Sequence, residues 1–387
     1  MFIKIPLSWL QLTHNKTRFL VAVTGITFSV FLVFMQLGFQ SALYDTSVEI
    51  YKHLHADLVL LHPRSEPLFD IAYRRSFSMR RLDQALGFKG VESVSALYVG
   101  FADWKNPNSP RNRGILVLGF DPQKSVFDLP ELNQNLNKIK LPDVVLFDRA
   151  SRPEFGPIVT EFEKKKVVTT AVNNRKVKVV GLFTIGGSVF SADGILITSD
   201  LNFVRLLHRP LTNVSVGLIK LTPGADPQQI INNLAANLPK DIKVLTINDF
   251  MELEKKFWAD SSPIGYVFTL GAVMGFIVGA VIVSQILYTD VSIHLGEYAT
   301  LKALGYKNIY FLGVVLQEAL FLSVLGYIPG FALSSILYNF VTNAIRLPMN
   351  MDFGRVLLVL ALTFLMCFIA SATALNRLRA ANPADIF

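Results

Sequence analysis

Three stretches of this chain lack Asp, Glu, Lys, Arg and His altogether: Phe19–Phe39, Ser261–Thr289 and Val356–Leu375. Each reaches the length of about 20 apolar residues that a helix needs to cross a bilayer. A fourth run, between Lys307 and Arg346, is interrupted only by Glu318. Four such segments make a membrane α-helical protein, because the backbone polar groups of a span must be satisfied within the span itself. Charged residues are correspondingly scarce, at 17% against about 25% in soluble domains.

The spans divide the chain. Residues 1–18 are expected to form an interfacial helix, opened by Pro6 and anchored by Trp9. Span one is 19–39; at 21 residues it is longer than the roughly 7–15 of a signal-peptide core, so it reads as an uncleaved anchor. Residues 40–260 follow as a large insert, then span two (261–289), a short loop (290–310), span three (311–345), a loop (346–355), span four (356–375) and a tail (376–387). The insert carries β-type runs at Ala56–Leu61, Val91–Tyr98, Ile115–Gly119, Val144–Phe147, Lys166–Val172, Lys176–Phe183, Gly194–Thr198 and Val214–Leu221. Helical patterns at Arg80–Leu86, Ser199–Leu207 and Asp226–Leu238 are interleaved, the last with Asp226 as N-cap and Pro227 at the first position. The insert is therefore an α+β domain, reached and left through helical stalks at 40–53 and 248–260. Asp45 and Glu49 on one stalk face Lys255 and Lys256 on the other as possible charge partners.

Loop charges orient the spans. The N-terminal segment, the 290–310 loop and the tail hold Lys4, Lys16, Arg18, Lys302, Lys307, Arg377 and Arg379, whereas the 346–355 loop holds Arg346 and Arg355. By the positive-inside rule both termini are cytoplasmic and the insert is extracytoplasmic. The insert's own 28 Lys/Arg against 24 Asp/Glu leave an excess of +4, too small for a nucleic-acid surface. The lone Cys367 excludes a disulfide framework, and His53, His55 and His62 lack the companions of a metal site. The basic run Arg74, Arg75, Arg80 and Arg81 is a solvated loop or a face for an adaptor protein or anionic headgroups.

Three features carry functional chemistry. Ser292–Gly305 reads as an amphipathic helix with Ile293, Leu295, Tyr298, Leu301 and Leu304 near one side, Glu297 and Lys302 elsewhere, and Gly305 as its stop. Such a helix is either a surface anchor on membrane lipid or a docking element. Glu318 is costly in hydrocarbon; it is either part of a proton or ion relay or, as favoured, hydrogen-bonded to a Ser, Thr or Gln of a neighbouring span such as Gln285. Gly271, Gly275 and Gly279 form a small-residue stripe suited to close helix packing, and Pro329 with Gly330 should kink or break span three.

Glu297-Tyr298-Ala299, Leu301-Lys302-Ala303-Leu304-Gly305, Glu318-Ala319, Gly326 and Gly330 resemble the signature of the FtsX/MacB/LolC-type permeases of ATP-binding-cassette (ABC) systems. The tail Arg379-Ala380-Ala381-Asn382-Pro383-Ala384-Asp385 is similar to that family's closing pattern, one residue shorter. Within the family, Ile5–Thr13, Met35–Phe39 and Arg80–Phe88 are similar to the permeases of cyanobacterial heterocyst glycolipid exporters. The resemblance implies an inner-membrane, non-enzymatic permease whose loop helix docks on a separate ABC ATPase. It further implies a homodimer that works with a periplasmic membrane-fusion adaptor and, through it, a TolC-like outer-membrane channel. The chain has no G-x-x-x-x-G-K-[ST], so no cofactor is expected on it, and ATP and Mg²⁺ belong to the partner. A signalling role like that of FtsX, without transport, is the other function the family offers. A membrane hydrolase has no support, since neither G-x-S-x-G nor H-E-x-x-H occurs.

Overall fold

The structure is a computed structural model that describes residues 7–124, 126–186, 193–306, 308–345 and 347–380. The chain forms two compact units, one from Met1–Ala42 with Pro263–Phe387 and the other Leu43–Ser262. Pro6, Lys4, Lys307, Arg346 and the end of the tail motif, Ala381–Asp385, lie outside the described residues.

The membrane unit begins with α1 (Leu7–His14) and α2 (Lys16–Ser47). After the second unit it resumes with α6 (Pro263–Ile293), α7 (Leu295–Ala303), α8 (Asn308–Ile345) and α9 (Phe353–Ala380). Four of these helices, in α2, α6, α8 and α9, are long and apolar enough to cross a membrane. α1 does not stand alone on a surface: Trp9 packs edge-on against Phe321 of α8 at 5.4 Å, and Ser8 Oγ donates to Gln317 Oε1 at 3.2 Å. Pro329 lies inside α8, which runs on through it, so of the expected kink or break the break does not occur.

The glycines explain how α2 sits among its neighbours. A Cβ on Gly271, Gly275 or Gly279 of α6 would meet Gln36, Val33 or Ser29 of α2 in turn. On α8, Gly326 and Gly330 lie against Ile26 and Val30 of α2. Because these positions carry no side chain, backbone carbonyls come within reach of hydroxyls: Ser29 Oγ donates to the Gly275 carbonyl at 2.8 Å and Thr27 Oγ1 to that of Gly326 at 3.1 Å. In hydrocarbon, where burial of apolar surface supplies no drive, such packing and hydrogen bonding hold helices together.

The second unit contains α3 (Glu49–Lys52), α4 (Leu68–Arg74) and α5 (Ile247–Lys256). Its strands are β1 (Leu58–Leu61), β2 (Phe77–Ser78), β3 (Val91–Lys105), β4 (Asn112–Phe120), β5 (Val144–Asp148) and β6 (Val168–Val172). They continue with β7 (Arg175–Phe183), β8 (Ile195–Ser199), β9 (Asn213–Val214), β10 (Val216–Leu221) and β11 (Lys243–Thr246). Nine of them form one sheet in the order β11-β1-β10-β3-β4-β8-β5-β7-β6. The sheet curls until β6 pairs with the far end of β3, Trp104 opposite Val172. Buried Trp104, Phe147 and Phe155 fill one side of the sheet, and the Trp104 indole donates to the Phe155 carbonyl at 3.0 Å. Buried Leu118, Phe120 and Phe127 belong to the cluster on the other side.

Arg80–Leu86 forms the expected helix, and Asp226 caps Pro227–Asn237 by accepting from the Gln228 amide at 3.0 Å. β3 runs seven residues past the expected Tyr98, because its far half pairs with both β4 and β6. In the basic run, Arg75 pairs with Asp70 at 3.1 Å and Arg81 with Asp241 at 2.8 Å.

The stalk segments meet through one buried carboxylate. Glu254 of α5 accepts from the Tyr51 hydroxyl of α3 (2.6 Å), the Leu68 amide at the start of α4 (2.8 Å) and the Trp258 indole (2.8 Å). Trp258 lies in a single π-helical turn, Phe257–Ser261, that follows α5. Lys255 pairs with Asp45 at 2.7 Å as the stalk charges allowed, whereas Glu49 pairs locally with Lys52 at 2.6 Å. Both pairs are largely exposed, so the buried Glu254 set is the stronger tie.

Two outcomes follow. Gly279→Leu should force α6 off Ser29 and Met366 and lower stability by about 1–3 kcal/mol, the usual cost of overpacking, measured by thermal unfolding in detergent. Burial raises the Glu254 carboxyl above its ordinary value of 4.5 despite three opposing donors. The folded state therefore holds this proton more tightly than the unfolded chain, and stability declines as pH rises above 4.5 toward the folded-state value. Glu254→Gln cannot ionise, so its stability should vary less over that window, as read by unfolding at a series of pH values.

Candidate functional site

The candidate site is the turn from α6 into α7 with the part of α8 packed beside it. α6 continues through Asp290 to Ile293, further than the expected end of span two at 289, and a bend at His294 separates it from α7. The two helices hydrogen-bond across this bend: the His294 amide donates to the Asp290 carbonyl at 3.2 Å and the Tyr298 amide to the His294 carbonyl at 3.0 Å. α7 then ends at a glycine. Gly305 has φ +95° and the Tyr306 amide reaches back to the Leu301 carbonyl at 3.2 Å, a left-handed cap that a Cβ would strain.

α7 is held from one side. Tyr298, 2% exposed, packs edge-on against Phe311 of α8 at 5.4 Å, and Leu301 is half-buried against the same cluster of Leu12, Leu287, Val291 and Val315. The expected single apolar side is therefore split. Tyr298 and Leu301 face the bundle, whereas Ile293 (51% exposed) and Leu304 (72%) face away from it. Leu304 falls outward because the helix has already ended at Ala303. Tyr306, Ile309 and Tyr310 extend the exposed apolar surface, with the Glu297 carboxylate also exposed. Lys302 lies on α7.

Glu318 of α8 is fully buried, and neither of its carboxyl oxygens has a hydrogen-bond partner among the described residues, so the expected bond to Gln285 is not made. Gln285 is exposed, and its carbonyl takes the Thr289 hydroxyl at 2.8 Å. Asp290 lies beside His294, whose Nε2 is 3.9 Å from Asp290 Oδ1 and whose Nδ1 is 3.3 Å from Glu297 Oε2. The sequence carried a signal for this set that had gone unused. Asp290, His294 and Glu297 are spaced i, i+4 and i+7, the spacing of one helix side. The amphipathic helix expected at Ser292–Gly305 begins after Asp290, which left Asp290 out of the set.

The remaining expected residues are packing positions. Gly271, Gly275, Gly279, Gly326 and Gly330 all contact α2, and none lies in the polar cluster.

Comparison with known families adds to this geometry. The model described as "MacB-like periplasmic core domain" matches residues 19–237, and the one described as "FtsX-like permease C-terminal" matches 264–383. No curated protein matches. Among solved structures, the periplasmic region of MacB from Actinobacillus actinomycetemcomitans is 11% identical, covering 52% of this chain and 94% of its own, with a TM-score of 0.36. The extracellular domain of the noncanonic ABC-type transporter YknZ from Gram-positive bacteria is 13% identical, covering 49% and 98%, with a TM-score of 0.33. With one family model matched over more than half its length, the chain belongs to the MacB-like periplasmic core domain family, joined here to an FtsX-like permease C-terminal region.

Proposed function

We propose that this chain is the permease subunit of a MacB-like ABC exporter in the inner membrane, with α7 as the element that docks on a separate ATPase. The observation that carries this reading is the two-sided α7 segment. Tyr298 and Leu301 lock it to the bundle, while Glu297, Leu304, Tyr306 and Ile309 leave a mixed apolar and charged surface facing outward. A helix anchored on one side and open on the other suits a push from a partner, because motion of the docked side must move the helices it is anchored to.

Both termini and α7 are cytoplasmic in this reading, supported by the excess of Lys and Arg in the segments that would share that side. ATP-driven closure of two ATPases draws two copies of the chain together at α7. The stalks, tied through Glu254, carry the movement into the periplasmic domain, which works on a membrane-fusion adaptor and, through it, a TolC-like outer-membrane channel. The substrate is lipidic, and its class is glycolipid by similarity of Ile5–Thr13, Met35–Phe39 and Arg80–Phe88 to heterocyst exporters. The FtsX-like match over 264–383 also supports a signalling arrangement, in which the periplasmic domain activates an enzyme and nothing crosses.

Tagged chain should co-purify with an ABC ATPase, and its loss from the complex in Leu304→Asp, with membrane insertion intact, is the expected outcome. Recovery of neither an ATPase nor an adaptor with wild type would overturn the reading. Leu301→Asp is the less discriminating variant, because Leu301 also packs on the bundle. In vesicles, ATPase-dependent release of labelled glycolipid separates transport from signalling, and Leu304→Asp should reduce it at least about tenfold, the loss expected when a buried contact of a few kcal/mol is broken.

A further inference from the structure

The stalk at 248–260 does not run into span two as one helix. α5 ends at Lys256, Phe257–Ser261 make a π-helical turn, Ser262 is extended (φ −97°, ψ 145°) and Pro263 opens α6. Proline disfavours a helical residue before it, which accounts for the extended Ser262, and it has no N–H to donate back into the turn. A π turn also holds one residue more than the α ladder on either side of it. The first stalk is the opposite case. α2 is one helix from Lys16 to Ser47, through the division of the compact units at Ala42 and Leu43. The second division falls at Ser262 and Pro263, where the helix is broken. Of the two connections, one is stiff and the other is jointed.

The hydrogen bonds at this joint are divided between two carboxyl oxygens. Trp258 sits at its centre, with its indole donating to Glu254 Oε1 at 2.8 Å and its carbonyl accepting from the Ser262 hydroxyl at 2.6 Å. The Tyr51 hydroxyl and the Leu68 amide bond the other oxygen, Oε2. Release of the indole therefore frees Oε1 while Oε2 still ties α3, α4 and α5 together. We infer that 257–263 is a hinge and that the Trp258 indole on Glu254 Oε1 is its latch. With the latch closed, the extra residue is stored in the π turn. With it open, the turn rewinds as α-helix and passes that residue into the joint, a rise of about 1.5 Å and a turn of about 100°. A hinge needs only a few residues at the end of an element to absorb such a change in φ and ψ. The device takes from the docking reading only the source of its motion, because α6 leads from the joint to α7.

Hydrogen–deuterium exchange of the purified full chain in detergent micelles tests this without any ATPase, so its failure is separate from failure of the docking proposal. Trp258→Phe keeps a ring in place and removes the indole donor. It should speed exchange of the 257–262 amides about tenfold, the scale of one lost hydrogen bond, and leave the peptides that hold Tyr51 and Leu68 at the wild-type rate. Pro263→Ala restores an N–H and lets Ser262 join the helix, so it should slow exchange over 257–262 below wild type. An unchanged rate over 257–262 in Trp258→Phe overturns the latch. Equal acceleration at Tyr51 and Leu68 means that the indole holds the whole stalk, which overturns the division between the two oxygens. An unchanged rate in Pro263→Ala overturns the hinge.

Discussion

The membrane unit depends on close approach of backbones at α2. Lipid is as apolar as leucine, so the helices gain little by hiding apolar side chains from it, and association rests on contact distance and hydrogen bonds. Gly271, Gly275 and Gly279 admit α2 on one side and Gly326 and Gly330 on another, which brings the Ser29 and Thr27 hydroxyls to backbone carbonyls. With α2 seated there, α6 and α8 are both held against the same helix.

The second unit meets a related constraint in a different way. Glu254 is as buried as Glu318 but has three donors, from Tyr51, Leu68 and Trp258. One carboxylate is a structural tie because its lone pairs are filled. The other, Glu318, has no donor on either oxygen among the described residues. This contrast between satisfied and orphaned carboxyls distinguishes the two more firmly than burial, which is the same for both.

Much of the architecture was legible in the residues before any contact was known. The four apolar runs, the β-rich insert, the Asp226–Pro227 helix start and the Gly305 stop follow from local rules of polarity, capping and positive φ. Where those rules failed, a non-local partner had taken over. β3 extends to Lys105 because β4 and β6 supply hydrogen bonds to a stretch whose Gly100 and Asp103 argue against a strand. α6 carries Asp290 past the point where an apolar run would end.

Periodicity and polarity along the chain were sufficient to place the spans, the insert and the short amphipathic segment between spans two and three. They also marked Glu318 as a group in need of a partner, because its desolvation cost does not depend on the fold around it. Which side of α7 is buried and which stays open was decided by its packing against α8. Tyr51 and Glu254 lie 203 positions apart, a pairing no local pattern encodes. Only when helices and strands have closed on one another is it settled which polar atoms find donors and which do not.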